Sequence, residues 1–185
     1  NQFPSTKNKF VYRNLQQYAV AAQPKRKHTP FRIVYAGLLG VAQDIYSIIE
    51  NIPFQSIGAE FHLYGGGNQT EKIKEYINKH PGCFVYYHGY VKKEQIAEEL
   101  SRYDASIVPL TVAIKGAVPS KIYDLIPIGI PILFCGGGEG AEIVSKYYFG
   151  MVSKPHDFKQ LHNNIIELIN LPDEEYSTIS KNCLD

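Results

Sequence analysis

Short apolar runs alternate with segments of helical period from residue 31 onwards, and this alternation predicts the architecture. Six runs have the length and composition of buried strands, and they lie at 32–36, 60–64, 84–87, 105–109, 131–134 and 150–152. Between and after them, apolar residues recur three and four positions apart at 42–50, 69–79, 93–101, 119–126, 139–146 and 157–169. Apolar strands that are joined by helices indicate an α/β domain, with a parallel sheet of about six strands and helices on both faces.

The two ends of the chain differ from this pattern. Residues 1–30 are rich in Asn, Gln and Lys and close on the basic stretch 25–28, which predicts a solvated linker or, alternatively, a phosphate-binding patch. Residues 171–185 have the pattern of the beginning of a helix that is cut short. We therefore divide the chain into a linker at 1–30, a domain at 31–170 and a truncated C-terminal helix at 171–185.

Composition and charge are those of an ordinary soluble domain and exclude several partners. Hydrophobic residues make up 44% of the chain and the formal net charge is +1, so no strong field recruits nucleic acid or an anionic membrane. The three cysteines are scattered and form no CxxC pair, which is typical of a reducing compartment. No apolar run approaches the roughly 20 residues of a membrane span, and residues 1–9 lack the apolar segment of a signal peptide. We expect a cytoplasmic domain without nucleic-acid partners.

Glycine-bearing loops follow five of the predicted strands, at 37–40, 65–68, 88–91, 115–121 and 136–140. Open parallel sheets bind ligands beyond the carboxyl ends of their strands, and these loops would meet there. Glycine lets backbone N–H groups approach a ligand closely, and the N-terminus of a following helix favours anions. The loops therefore predict a ligand that carries phosphate.

Two common nucleotide-binding motifs do not fit these loops. A dinucleotide-binding loop reads G-x-G-x-x-G and has an acidic residue near the end of the second strand, whereas the first loop here is G-L-L-G at 37–40 and the second strand ends in Tyr64 and Gly65. The G-x-x-x-x-G-K-[ST] motif of P-loop nucleotide triphosphatases is also absent. NAD is therefore disfavoured. His62 is expected to pack within its strand, and Cys135 has no accompanying His pattern that would make it a nucleophile.

The segment 118–126 carries the most informative polar pattern. Pro119 or Ser120 opens a predicted short helix, which Pro127 ends. Lys121 and Asp124 lie three positions apart and share one face of that helix. Lys121 could neutralise a diphosphate oxygen while Asp124 accepts hydrogen bonds from a sugar diol, but the same spacing fits a surface ion pair worth about 0.3–0.5 kcal/mol. Spacing alone leaves both interpretations open.

In its motifs the chain resembles the retaining GT-B glycosyltransferases of the glycosyl transferases group 1 family. The run G-A-V-P-S-K-I-Y-D at 116–124, with G-I-P-I at 129–132, is similar to the family signature G-x-P-S-K-x-x-E-x-x-A-x-G-x-P-V. Further pieces follow in the family's order: Y-A-G-L-L-G at 35–40 with Gln43, L-Y-G-G-G at 63–67, H-G-Y-V at 88–91 and Y-D-A-S-I-V-P-L at 103–110. The resemblance covers residues 31–169 and implies a Rossmann-like domain that is one half of a GT-B fold.

The resemblance also implies a role for each loop. The loop at 37–40 would lie against the diphosphate and the sugar, and the backbone at 90–91 would recognise the nucleobase beside the glycines at 65–66. Backbone amides at 118–120 and the Lys121 side chain would hold phosphate, and Asp124 stands where the family has a ribose-binding glutamate. The expected donor-binding residues are Gly37, Leu38, Gly40, Gly65, Gly66, His88, Tyr90, Val91, Pro119, Ser120, Lys121, Asp124 and Glu139. No metal or other cofactor is expected, because the absence of an Asp-x-Asp motif fits the metal-independent members.

Three positions depart from the family pattern. Asp124 is one methylene shorter than the usual glutamate, which shortens its reach to the ribose. The first acid of the family's paired E-x7-E pattern would fall on Gly116, so a sugar-facing carboxylate is missing. The first loop has Leu38 where many members carry Arg, and it lacks the Lys that usually follows, so one positive charge is lost unless Lys115 or Lys121 replaces it. These departures indicate a different donor grip or weak activity.

We therefore expect the donor-binding half of a glycosyltransferase that uses a UDP-sugar, in preference to a GDP-sugar, on a glycan or lipid-linked acceptor. The N-terminal acceptor domain of such enzymes is absent from the chain, so the isolated chain would be inactive and would contact a membrane only within the full-length enzyme. Two alternatives stay open. One is a nucleotide-sugar 2-epimerase-like domain, for which the site is poor in carboxylates, and the other is a non-enzymatic α/β binding domain whose glycine loops are only turns.

Overall fold

A computed structural model describes residues 26–112 and 118–184. Its strands are β1 Phe31–Leu38, β2 Ala59–Gly66, β3 Val85–Gly89, β4 Ala105–Pro109, β5 Ile132–Cys135 and β6 Gly150–Ser153. Its α-helices are α1 Ile45–Asn51, α2 Thr70–Lys79, α3 Ile96–Leu100, α4 Ser120–Leu125, α5 Glu139–Lys146, α6 Phe158–Asn170 and α7 Asp173–Leu184. Short 3-10 turns lie at Phe54–Ile57, Lys93–Gln95 and Ile126–Ile128. None of the helices described is both long and apolar enough to cross a lipid bilayer.

The six strands form one parallel sheet in the order β3-β2-β1-β4-β5-β6. The chain builds outwards from β1 to β3, then returns to the other side of β1 and builds outwards from β4 to β6. The strand order reverses between β1 and β4, and open sheets bind ligands at the carboxyl ends of the strands beside such a point. The predicted α/β fold is confirmed, and its topology directs attention to the loops after β1, β2 and β4.

Each face of the sheet carries its own apolar core, because side chains of a strand alternate between the two faces. On one face, Ile33 and Tyr35 of β1 pack with residues of α1, α2, α6 and α7. On the other, Val34 packs with residues of α3, α4 and α5. Helices thus cover both faces, as the uninterrupted apolar strands predict.

Two predicted helices are shorter in the structure for local reasons. The helix predicted at 42–50 begins only at Ile45, because Asp44 has a left-handed backbone with φ 44°. The helix predicted at 93–101 is divided into the 3-10 turn Lys93–Gln95 and the helix α3. The helix α4 ends before Pro127, as expected, and the chain turns at Gly129 with φ 70°.

Two residues of the basic stretch are anchored to the domain rather than solvated. Lys27 Nζ donates to the carbonyl oxygens of Ile169, at 2.9 Å, and Leu171, which caps the C-terminal end of α6. The backbone N–H and ring Nδ1 of His28 lie 3.1 and 2.8 Å from Oδ1 of the fully buried Asp104. The ammonium of Lys27 is therefore engaged with protein oxygens, which disfavours the phosphate-patch interpretation at this residue. Residues 1–25 lie outside the described part of the chain, and the domain division at residue 30 stays a prediction.

The segment predicted as the beginning of a helix forms α7, which packs on the sheet. Its Tyr176 is fully buried, and the Tyr176 hydroxyl donates to the carbonyl oxygen of Asp104 at 2.7 Å. The Ser180 hydroxyl donates to the carbonyl oxygen of Gly129 at 2.7 Å. These two bonds tie α7 to the start of β4 and to the turn before β5.

Candidate functional site

Two adjoining cavities open at the carboxyl ends of the central strands. The outer cavity, of about 400 Å³, is lined by Ala36, Gly37, Leu38, Tyr64, Gly65, Gly66, Tyr90, Val91 and Ile96. The inner cavity, of about 200 Å³, is lined by Ala36, Lys93, Ile96, Leu100, Ser106, Lys121, Asp124 and Leu125. Ala36 and Ile96 line both cavities, so the two lie side by side between β1, β2, α3 and α4. Sites for small ligands commonly measure about 300–1,000 Å³.

The floor of the outer cavity requires glycine. Gly37 and Gly65 are paired across β1 and β2, and Gly65 has φ +113°, a conformation that side chains rarely adopt. A Cβ at Gly65 would collide with the carbonyl oxygen of Gly37. A Cβ at Gly66 would collide with the hydroxyl of Tyr90, whose side chain lies over Gly66 and is 82% exposed. Gly65 is therefore needed for the close approach of the strands, whereas a side chain at Gly66 would displace the exposed Tyr90 ring from the cavity.

Lys121 carries a half-buried positive charge above the end of β1. Its ammonium lies directly over Gly37, because a Cβ there would collide with Nζ, and it is 5.4 Å from the ring centroid of Tyr35. Burial lowers the pKa of Lys121, and the charge of Asp124 opposes that change only in part. No carboxylate of the described residues lies within 4.0 Å of this ammonium. A partly desolvated cation that forms no ion pair with a described carboxylate favours binding of an anion at this point.

Asp124 lies beside the same charge at the wall of the inner cavity. Burial raises the pKa of Asp124, while Lys121 and Lys93 lower it to a smaller extent. The two residues are not joined by an ion pair within the described chain, so the interpretation of their spacing as a simple surface pair is wrong. A carboxylate at a cavity wall, flanked by two lysines, can accept hydrogen bonds from a diol while the lysines face phosphate oxygens.

The remaining predicted loop residues shape the site without all lining it. Gly40 lies beyond the cavities, where its carbonyl oxygen accepts from the N–H of Gln43 at 3.3 Å and of Asp44 at 3.0 Å. Pro119 is the N-cap of α4, and Ser120 is its first residue. Gly116 and Lys115, which the family pattern makes informative, lie outside the described residues.

Residues 30–171 match the family model described as Glycosyl transferases group 1. The chain belongs to this family. No curated protein matches the sequence significantly.

Solved structures with the same fold agree with this family assignment. The glycosyltransferase domain is similar to S. aureus TarM, with a TM-score of 0.70 and 15% identity, and the match covers 97% of this chain and 36% of that one. A variant of TarM was solved in complex with fondaparinux, α-GlcNAc-glycerol and UDP. It is also similar to Anabaena HepE in complex with UDP and glucose. The TM-score is 0.68 and the identity 17%, and the match covers 83% of this chain and 42% of that one. A third similar structure is the catalytic domain of cholesterol-α-glucosyltransferase from Helicobacter pylori. Its TM-score is 0.63 and the identity 17%, and the match covers 84% of this chain and 96% of that one. The domain thus spans well under half the length of TarM and HepE.

His88 of the glycosyltransferase domain lies behind the outer cavity and does not line it. Its ring stacks on that of Tyr64 at 4.7 Å, and its Nε2 forms a hydrogen bond of 2.9 Å with Nδ1 of His62. Nε2 of His62 in turn lies 3.2 Å from Glu60. The Tyr64 hydroxyl lies 2.7 Å from both Glu99 and the hydroxyl of Tyr103. His88 therefore supports a wall of the site, and His62 packs within the sheet as predicted.

The histidine pair makes the stability of the glycosyltransferase domain depend on pH. Burial lowers the pKa of both rings; Glu60 raises that of His62 and His88 lowers it further, while Glu99 raises that of His88. The unfolded pKa is about 6.5, so the unfolded chain takes up protons first as the pH falls. We expect the free energy of unfolding, measured by urea denaturation, to fall between about pH 7 and pH 5.

Variants separate this effect from the titration of other groups. The double variant His62→Gln with His88→Gln is expected to flatten the fall, whereas His80→Gln, at an exposed histidine, keeps it. An unchanged slope in the double variant would contradict the assignment to this pair.

Glu139 lies apart from both cavities. It is the first residue of α5 and lines a separate groove, here named the lateral groove, which is bounded by α4, α5, the segment 147–149 and the end of α7. Cys135 is buried at the end of β5, and burial raises the pKa of its thiol to about 12, so it remains protonated. Glu139 thus lines neither of the two cavities.

For several residues of the site, the sequence pattern gives no sign of a role in ligand binding. Lys93 and Ile96 belong to a segment whose pattern indicates only an amphipathic helix, and Ser106 lies within an apolar strand. The sequence pattern predicts only that Tyr64 belongs to a strand, yet Tyr64 lines the outer cavity. Their shared role depends on β1 lying between β2 and β4, which no local pattern encodes.

Proposed function

We propose that this glycosyltransferase domain binds the nucleoside diphosphate part of a sugar donor, UDP-sugar in preference to GDP-sugar, in the two adjoining cavities. The observation that carries the proposal is the half-buried ammonium of Lys121 above Gly37, which forms no ion pair within the described residues, with the carboxylate of Asp124 beside it. Lys121 holds a diphosphate oxygen, and Asp124 accepts hydrogen bonds from the ribose hydroxyls. The occurrence of UDP in the structures of TarM and HepE supports the choice of base.

The nucleobase occupies the outer cavity in this proposal. The ring of Tyr90 lies against Gly66 and is 82% exposed, and Val91 lies beside it, so that a flat base can stack on the free face of the tyrosine. Aromatic rings stack favourably on planar groups in this way. The stack of Tyr64 on His88 keeps the opposite wall in place.

The chemistry proposed is retaining transfer of the sugar to a glycan or lipid-linked acceptor, with no metal ion. A positive charge held at the diphosphate stabilises the leaving group as negative charge develops on it. The acceptor side would come from a second domain, so the isolated domain would bind donor without transferring it. Cytoplasmic location, and membrane contact only through the full-length enzyme, belong to the same proposal.

Thermal unfolding with UDP tests the donor site. At about 100 times its dissociation constant UDP would stabilise the domain by about 2.7 kcal/mol, which raises the melting temperature by about 5–10 °C for a chain of this size. We expect Asp124→Ala to remove most of this rise, because a charged hydrogen bond contributes about 1.5–3 kcal/mol. Asp124→Glu, which restores the family's usual residue, is expected to retain it.

A control variant and a second nucleotide test the specificity of the thermal shift. Glu98→Ala, which removes an exposed carboxylate of α3 that is paired with Arg102, should leave the rise unchanged. GDP should stabilise less than UDP at the same concentration. No shift with either nucleotide at millimolar concentration would contradict the proposed function, and a larger shift with GDP would reverse the choice of base.

A further inference from the structure

The lateral groove has a volume of about 790 Å³ and contains no residue of the proposed donor site apart from Glu139. It begins beside Glu139, at the first turn of α5, and ends at the aromatic segment 147–149 that leads into β6. The eight-residue helix between these points is about 12 Å long. The groove therefore starts near the ligand-binding edge of the sheet and runs away from it.

Aromatic rings are exposed at the far end of this groove. Tyr147 is 50% exposed and Tyr148 73%, and the Tyr147 ring stacks on that of Phe149 with centroids 5.5 Å apart. Tyr148 has a left-handed backbone with φ 52°, which costs energy for an aromatic residue. Hydrogen bonds hold this bend, from the N–H of Phe149 to Val144 at 3.0 Å and from Asn182 to the Tyr148 carbonyl oxygen at 3.4 Å. Two rings are thus presented to solvent by a fixed backbone.

Polar groups along α5 complement these rings. Glu142 and Lys146 are four positions apart, a spacing that permits ion pairing, yet no ion pair joins them in the described chain. The ammonium of Lys146 instead lies 5.1 Å from the Tyr147 ring centroid. With Glu139, the lining carries two carboxylates and one ammonium. The described lining thus has no excess of positive charge that would attract anionic phospholipid or nucleic acid.

We propose that the lateral groove binds a neutral saccharide. Tyrosine rings pack against the C–H faces of sugar rings, and carboxylate oxygens accept hydrogen bonds from hydroxyl groups. The groove offers both kinds of contact along one line, with no excess of positive charge. If the donor proposal holds, on which this step rests, the saccharide is part of an acceptor glycan whose distal units lie along α5.

Titration of chitotriose and maltotriose, two neutral trisaccharides, into the isotope-labelled chain tests this site by NMR. We expect shifts in residues 142–149 and millimolar affinity for at least one of the two sugars. Tyr147→Ala and Tyr148→Ala should each weaken that binding at least about fivefold, because each removes one stacking surface. Tyr86→Ala is the matched control, since Tyr86 is a comparably exposed tyrosine on β3 at the far edge of the sheet, and it should not change binding.

The opposing outcomes are distinct. No shift with either trisaccharide at about 10 mM, or equal weakening by Tyr86→Ala, would overturn the proposal. Binding to anionic phospholipid vesicles that both groove variants abolish, without any saccharide binding, would overturn it in favour of a membrane surface. The groove variants should keep the full thermal shift with UDP. If UDP gave no thermal shift with the unsubstituted chain, the donor site would be contradicted. The saccharide site would still be tested, because the saccharide titration is read at residues 142–149.

Discussion

Lys121→Met is expected to raise the melting temperature of the free domain and to remove most of its stabilisation by UDP. The substitution keeps the length of the side chain but deletes a half-buried charge whose burial already lowers its pKa. Because the charge of Asp124 offsets the burial of the ammonium only in part, its removal should stabilise the free domain by about 1–2 kcal/mol. Loss of the charged contact to phosphate should weaken UDP binding about ten- to a hundredfold.

Thermal unfolding with and without UDP measures both effects in one series. Lys74→Met is the control, since Lys74 is an exposed lysine that pairs with Glu71 at 2.9 Å on α2. It should leave the UDP shift unchanged. If Lys121→Met lowered the melting temperature and preserved the UDP shift, Lys121 would be a structural residue of α4 and the proposed phosphate contact would be wrong.

Asp104→Ala is expected to be the most destabilising of the substitutions considered. The carboxylate is fully buried, and it accepts from the N–H of Arg32 at 2.7 Å and from the backbone and ring of His28. Removing it leaves a buried N–H of β1 unsatisfied and releases residues 26–30. We expect a loss of about 2–4 kcal/mol, which corresponds to a fall of about 5–15 °C in melting temperature.

Urea denaturation of two further variants isolates the cause. Asp104→Asn preserves the shape and one acceptor oxygen, so it should lose clearly less than Asp104→Ala. Asp157→Ala removes the exposed N-cap of α6, whose Oδ1 accepts from the N–H of Gln160 at 2.9 Å, and should cost about 1 kcal/mol. Equal losses for Asp104→Ala and Asp157→Ala would show that burial of Asp104 adds nothing.

The glycine loops illustrate how far local pattern reaches. The glycine pattern predicts that the backbone approaches a ligand at Gly65 and Gly66, and both residues line the outer cavity. The structure adds a second reason, because Gly65 must also admit the carbonyl oxygen of Gly37 from the neighbouring strand. Pattern identifies where side chains are excluded, but only strand pairing shows which atoms exclude them.

Two polar residues show how tertiary structure changes the position that local pattern suggests. His88 and Glu139 were expected at the donor, yet His88 lies behind Tyr64 and Glu139 lines the lateral groove. His88 lies near the carboxyl end of β3, and Glu139 opens α5 after the loop that follows β5. A strand's alternation sends successive side chains to opposite faces, and one residue of register decides whether a group enters a cavity.

The sequence by itself determined the α/β class, the six strands, the strand-end loops and the importance of 118–126, because these depend on periodicity and on residues with special backbone geometry. The tertiary structure decided the rest. It placed Lys121 over Gly37 with no carboxylate of the described residues within 4.0 Å, brought Asp124 to the wall of the same cavity, and tied Lys27 and His28 to the folded domain. These outcomes depend on contacts between residues far apart in the chain and on the burial of charge, and both arise only when the strands assemble in the order that brings β1 between β2 and β4.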